Sequence, residues 1–231
     1  MNKVPLRCAG TLKNIRSVQR LYNRPETSFI KRQTANGMAT KTGDDENDSK
    51  LVCEASLPNN SWSDKTKKLY NELVDLCKDG KWEKITSFKN FTSDARLYTR
   101  CVAEEGKLFE YAMFFNREEQ KLRAVVQFGP WLQGPKGAVH GGAIATIFDS
   151  AGGVLAYQLG YRCVTVNLNV NFHGFLPLYT TAECVAWVRK KEGRKIFVES
   201  ELRSLDGKTV FDKCSALWLR IDGTNDEFSK E

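Results

Sequence analysis

The chemistry available to this 231-residue sequence concentrates in one acid and a pair of glycines. His140-Gly141-Gly142 opens the stretch HGGAIATIFDSAGG, and Asp149 stands inside it. At about 100° per residue, with Ile144 as zero, Ile147, Phe148, Ala151, Val154, Leu155 and Leu159 fall within about 80° of it. That is the stripe a helix buries. Asp149 falls at about 140°, among Gly142, Ala145, Thr146 and Gly153, on a second face of small side chains. Interior glycine costs a helix about 1 kcal/mol against alanine, so Gly152-Gly153 needs a reason. Small residues admit a close neighbour, either a backbone or a ligand. Two readings of Asp149 stand: a solvated acid on an exposed helix side, or an acid on a face shaped to admit a substrate.

The first N–H groups of a helix lack internal partners and sit in a positive field. Glycine lets a substrate oxygen reach them, and one such donor to an oxyanion lowers a barrier by about 3 kcal/mol. His140 can serve that turn or simply cap the helix. Gly142 and Asp149 are seven residues apart, about 10 Å along the axis. One reacting carbonyl cannot touch both on a single helix. A site using both must therefore be shared between two copies of the chain, and a homodimer is expected.

These residues need a frame. An amphipathic helix is expected over 63–78, with Leu69, Leu73, Leu76 and Cys77 on one stripe and Gly80 as its stop. Strands are expected over 97–103, 108–116 and 121–128, then the helix 141–159, then strands over 163–172, 179–190, 194–205 and 208–221. VTVNLNVNF places Val164, Val166, Leu168, Val170 and Phe172 on one face. KEGRK and LDGK read as tight hairpin turns. One long helix followed by four turn-linked strands predicts an α+β domain, an antiparallel sheet wrapped round a helix. Edge pairing in a dimer would satisfy its open edges. The chain divides into a leader and linker over 1–40, a disordered linker over 41–60, a helical segment over 61–92, the main domain over 93–222 and a tail over 223–231.

The net charge of +7 does not indicate nucleic acid. Residues 1–25 hold Lys3, Arg7, Lys13, Arg16, Arg20 and Arg24 and no acid, leaving +1 for the rest. On a helix Lys13, Arg16, Arg20 and Arg24 cluster opposite Leu12, Ile15, Val18 and Tyr22, the pattern of a mitochondrial transit segment, the alternative being a disordered basic tail. Seven cysteines without a C-x-x-C pair fit free thiols in a reducing compartment. Two histidines without ligand spacing give no support for zinc, and no cofactor is implied. No apolar run reaches the length of a membrane span.

The H-G-G…D spacing, with FEYAMFFN, GPWLQGPKGAVHGGAIATIFD, TVNLNVNF and EGRKIFVES, resembles the hotdog-fold acyl-CoA thioesterases, and among them the mitochondrial members of the four and five type. The likeness runs from Asn60-Ser61-Trp62 to Leu219. It implies a hotdog fold, dimers or tetramers, and hydrolysis of medium- to long-chain fatty acyl-CoA in the mitochondrial matrix, an added cytosolic pool remaining open. By the same resemblance Asp149 matches the catalytic acid, acting as general base or as nucleophile, and His140, Gly141 and Gly142 match the carbonyl-polarising turn. Thr165 matches a threonine near the acid, and Asn171, His173, Arg194 and Lys195 match positions contacting CoA. His173 departs from the lysine of close relatives. The face beside Gly152 and Gly153 is the expected entrance for the acyl chain. The alternative is a non-catalytic module that binds acyl-CoA or regulates a signalling protein.

Overall fold

The computed structural model describes residues 56–87, 98–100 and 104–221. The basic leader, most of the linker, most of the candidate strand 97–103 and the tail lie outside those residues. Tyr98–Arg100, from that candidate, are not strand.

Helix α1 spans Asp64–Leu76; Ser63 caps it, accepting the Thr66 N–H. A 3-10 turn over Cys77–Asp79 follows, and Gly80 ends it at φ 74°, a left-handed conformation that suits glycine. Among the described residues seven strands make one antiparallel sheet: β1 Trp82–Ile85, β2 Phe109–Asn116, β3 Lys121–Phe128, β4 Cys163–Phe172, β5 Thr181–Glu192, β6 Lys195–Arg203 and β7 Val210–Arg220. Their order is β1-β2-β3-β5-β6-β7-β4. Helix α2, Gly141–Gln158, is the single long helix they enclose. Its predicted apolar stripe is the buried one, with Ile147, Ala151 and Leu155 fully covered. Ala182, Cys184 and Ala186 on β5 and Cys214 and Ala216 on β7 belong to the same core, small residues that let the helix lie close.

Both faces of β2 and β3 are covered, which explains their unbroken apolar runs. Met113, Phe115, Ala124 and Val126 join the core under α2, while Ala112, Phe114 and Val125 pack with Leu69, Tyr70 and Leu73 of α1. Helix α1 thus lies on the sheet face opposite α2. Thr66 Oγ1 donates to Gln127 Oε1 at 2.6 Å, and Gln127 Nε2 donates to the Ser61 carbonyl at 2.8 Å, pinning the helix start to β3. Two boundaries change. Trp82–Ile85 pairs with β2, so the segment 61–92 contributes a strand to the main sheet. The end of the expected disordered linker is ordered: Asn59 donates to Glu110 and accepts the Ser61 N–H, and Ser56 is buried.

One strand departs from the alternation read in VTVNLNVNF. Thr165 pairs with Trp218, Asn167 with Leu217 and Leu168 with Ala216, so a bulge falls at Val166. Directly opposed residues project to one side of the sheet, which puts Thr165 with Leu168, Val170 and Phe172 and turns Val164 to the other side. A bulge re-aims side chains in this way. Here it points Thr165 at helix α2.

Candidate active site

The turn before α2 is held by backbone bonds: His140 N–H to Leu132 C=O at 2.7 Å and Val139 N–H to Leu176 C=O at 2.8 Å. His140 is the N-cap. Its Nδ1 accepts the Gly142 N–H at 2.8 Å, and its carbonyl takes the Ala143 and Ile144 amides. The capping reading of His140 is therefore the observed one. It carries a consequence for the glycines. The Gly142 amide is occupied by the cap, whereas the Gly141 amide makes no backbone hydrogen bond among the described residues. Gly141, not Gly142, presents the unused donor at the positive end of the helix. A Cβ at Gly141 would lie 3.3 Å from the Phe172 ring, so this end of α2 abuts the far end of β4.

Two turns along, Asp149 is half-buried and Oδ1 accepts the Thr165 hydroxyl at 2.7 Å. The expected pairing of acid and threonine is present, made by the bulge. Below them on β7, burial pushes the Cys214 thiol up to about 12, with the Glu199 and Asp149 carboxylates adding to the effect. Gly152 and Gly153 do not open a slot. A Cβ at Gly152 would meet Trp218 Nε1 at 2.9 Å, and one at Gly153 would meet Trp218 Cη2 at 3.0 Å. The double glycine admits an indole from β7, and the acyl entrance expected there is filled.

The open space lies at the helix start. A cleft of about 520 Å³ is lined on the helix side by His140, Gly142, Ala143 and Thr146. Leu108 and Phe109 line it at the start of β2, and Trp131, Leu132 and Gln133 on the turn after β3, with Tyr98 beside them. Its volume is that of a small-molecule site. The block GPWL contained two of these residues, but nothing local in it marks a binding wall.

The CoA-contact candidates separate into two groups. Asn171 is exposed near the end of β4, and His173 follows with its backbone N–H donating to Asp212 Oδ1 at 3.0 Å. Arg194 lies in the β5–β6 turn after Gly193 (φ 56°), and Lys195 opens β6 opposite Leu219. Leu219 pairs with Val164 and Lys213 with Asn171. Seven residues of strand, roughly 23 Å, therefore divide the two groups within one chain.

A single long helix wrapped by an antiparallel sheet, with an unused helix-end amide and an acid two turns further, is the hotdog architecture of thioester chemistry. Residues 136–211 match the family described as the Thioesterase superfamily. The chain is 35% identical to the rat protein named acyl-coenzyme A thioesterase THEM4 over 74% of this chain and 84% of that one. It is 32% identical to mouse acyl-coenzyme A thioesterase THEM5 over 72% and 74%. A crystal structure of a thioesterase superfamily protein is 27% identical, covering 47% of this chain and 53% of that one, with a TM-score of 0.44. The chain belongs to the thioesterase superfamily and is a thioester hydrolase.

Proposed function

We propose that the protein hydrolyses medium- to long-chain fatty acyl-CoA in the mitochondrial matrix, at sites shared across a homodimer. The reading rests on one observation: β4 is a ten-residue edge strand with a half-site at each end. The Gly141 amide and the cleft stand at its Phe172 end; Asp149 stands at its Thr165 end. A two-fold axis across this edge pairs β4 with its copy antiparallel, and each end then meets the opposite end of the partner. Gly141 of one protomer comes beside Asp149 of the other. The same operation removes the roughly 23 Å offset along the strands between Arg194 and Lys195 and the other protomer's Asn171 and His173, leaving three strand spacings, roughly 14 Å, across the sheet.

In such a site the thioester oxygen accepts the Gly141 N–H, and the helix end stabilises the charge that grows on it. Asp149 takes a proton from water as the water oxygen bonds to the carbonyl carbon. The tetrahedral adduct collapses with loss of the C–S bond, giving the fatty acid and the CoA thiolate, which is then protonated. Thr165 holds Asp149 Oδ1 and leaves Oδ2 for the water. The basic, acid-free leader supports the mitochondrial address.

The test is thiol release from acyl-CoAs of graded length, with Asp149→Asn alongside. The substitution is expected to cost at least about a hundredfold in kcat, as loss of general-base catalysis does. Equal rates reject the role of Asp149. Tight acyl-CoA binding without turnover by the native protein supports the non-catalytic module instead.

A further inference from the structure

The cleft beside α2 is closed to one side and open to another, and its polarity is graded. Leu108, Phe109, Leu132 and Ala143 are buried and make an apolar floor, while His140 and Thr146 stand on the helix side. At the rim is Trp131, a tryptophan left 47% exposed on the described chain. Its backbone is not loose. The Trp131 N–H donates to the Lys107 carbonyl and the Gly129 N–H to the Leu108 carbonyl, both at 2.9 Å. A Cβ at Gly129 would lie 2.2–2.5 Å from the carbonyl oxygens of Gly106, Lys107 and Leu108, so the two walls touch through backbone alone. Glu110 secures the same corner by accepting the Gly106 N–H at 2.7 Å and the Trp62 indole N–H at 2.8 Å. The next residue, Leu132, accepts the His140 N–H, so the rim is tied to the helix start as well.

A half-exposed indole on a firmly held backbone, at an apolar cleft that begins at the start of α2, has the form of a length gauge. We propose that this cleft takes the acyl chain and that Trp131 is the specificity-determining residue that sets the length it accepts. The proposal rests on the acyl-CoA reading above. The thioester carbonyl lies at the Gly141 amide and the hydrocarbon runs across Leu108 and Phe109 toward the indole. No second slot competes on the glycine face, because Trp218 fills it. Each methylene that reaches the floor raises kcat/KM by about fourfold, and the gain stops where the chain meets the indole.

The experiment is a chain-length profile of kcat/KM over even-numbered saturated acyl-CoAs for the native protein, Trp131→Ala and Tyr157→Ala. Tyr157 is an exposed aromatic residue near the other end of the same helix. The native profile is expected to climb and then level. Trp131→Ala is expected to move the levelling point to chains at least two carbons longer. Tyr157→Ala should leave the profile in place. Because Trp131 is exposed at the rim, its truncation should leave a folded protein, which an unchanged circular-dichroism spectrum and melting curve verify. A profile unmoved by Trp131→Ala, or lowered equally at every length, overturns the assignment while leaving acyl-CoA hydrolysis intact. So does a shift produced by Tyr157→Ala. A native protein inert toward every acyl-CoA overturns the parent reading and this one with it.

Discussion

Asp149 and Asp212 lie toward opposite ends of one strand pair, β4 with β7, and their surroundings differ in kind. Asp149 is half-buried, bonded by a hydroxyl on one oxygen, and carried on a helix face of small residues. Asp212, opposite Phe172, is fully covered, holds the His173 backbone N–H on Oδ1, and leaves Oδ2 buried without a hydrogen bond. The acid at the Thr165 end is accessible and lacks a carbonyl-binding amide beside it. At the Phe172 end there is an amide and a cleft, and the carboxylate there is sealed away. Neither end holds both an unused helix-end amide and an accessible acid. What divides them is the length of β4, and an edge strand of ten residues is the element through which a copy can join them.

The strongest way to break this comparison is to disable the two ends in different chains. Gly141 is the first residue of α2, and His140 before it is extended at ψ 135°. Proline is favoured at this first helical position and its predecessor's conformation suits it, so Gly141→Pro removes the N–H with the helix intact. Alone it is expected to cost a hundredfold or more in kcat, on the order of a lost oxyanion donor. Asp149→Asn should be similarly disabled. Co-refolded in equal amounts, the two inactive chains should recover about a quarter of the native activity, since half the dimers are mixed and each has one intact site. Mixtures as inactive as the separate variants would show that each chain works with its own amide and acid.

Much of this arrangement was legible in the sequence, for local reasons. Helix α2 follows from the spacing of Ile144, Ile147, Phe148, Ala151 and Leu155, and the β6–β7 turn from Asp206-Gly207. That the helix-start amides and Asp149 of one chain stand too far apart to touch one carbonyl followed from the rise of a helix alone. What escaped was non-local. Four residues at Trp82–Ile85 are a strand because β2 offers an edge and α1 helps bury Trp82. Gly152-Gly153 announced a close neighbour, but only the fold shows it to be Trp218, 65 residues later. The bulge at Val166 leaves no trace in VTVNLNVNF, whose alternation runs on as though the strand were regular. Without that bulge Thr165 would face away from Asp149.

Thr165 therefore offers a smaller and sharper test of the accessible acid. Its hydroxyl bond to Asp149 Oδ1 fixes where the other oxygen points. Thr165→Val keeps the shape of the strand and removes the donor. A hydrogen bond to a charged group is worth about 1.5–3 kcal/mol, so kcat should fall by roughly 10- to 150-fold, with KM little changed. Thr165→Ser should retain most of the rate. A rise in KM without loss of kcat would move Thr165 from orienting the acid to binding substrate.

The sealed acid gives the smallest effect, and it is one of stability. Burial pushes the Asp212 carboxyl above its ordinary value of 3.8, against the opposing pull of the His173 backbone N–H and side chain. A carboxyl whose folded value lies above its unfolded value binds its proton more tightly when folded. It contributes stability that is fully present below the unfolded value and is lost as pH rises through the folded one. At neutral pH the native protein therefore bears the cost of a buried, half-satisfied charge. Asp212→Asn keeps an oxygen for the His173 N–H and removes that charge. The variant should melt higher by about 2–4 °C at pH 7, the shift that about 1 kcal/mol produces in a chain of this size, and the gap should close toward pH 4. A variant that melts lower than the native protein at pH 7 would mean that the ionised carboxylate is satisfied where it lies. Asp212 would then be a bonded strut, and the contrast with Asp149 would narrow to exposure alone.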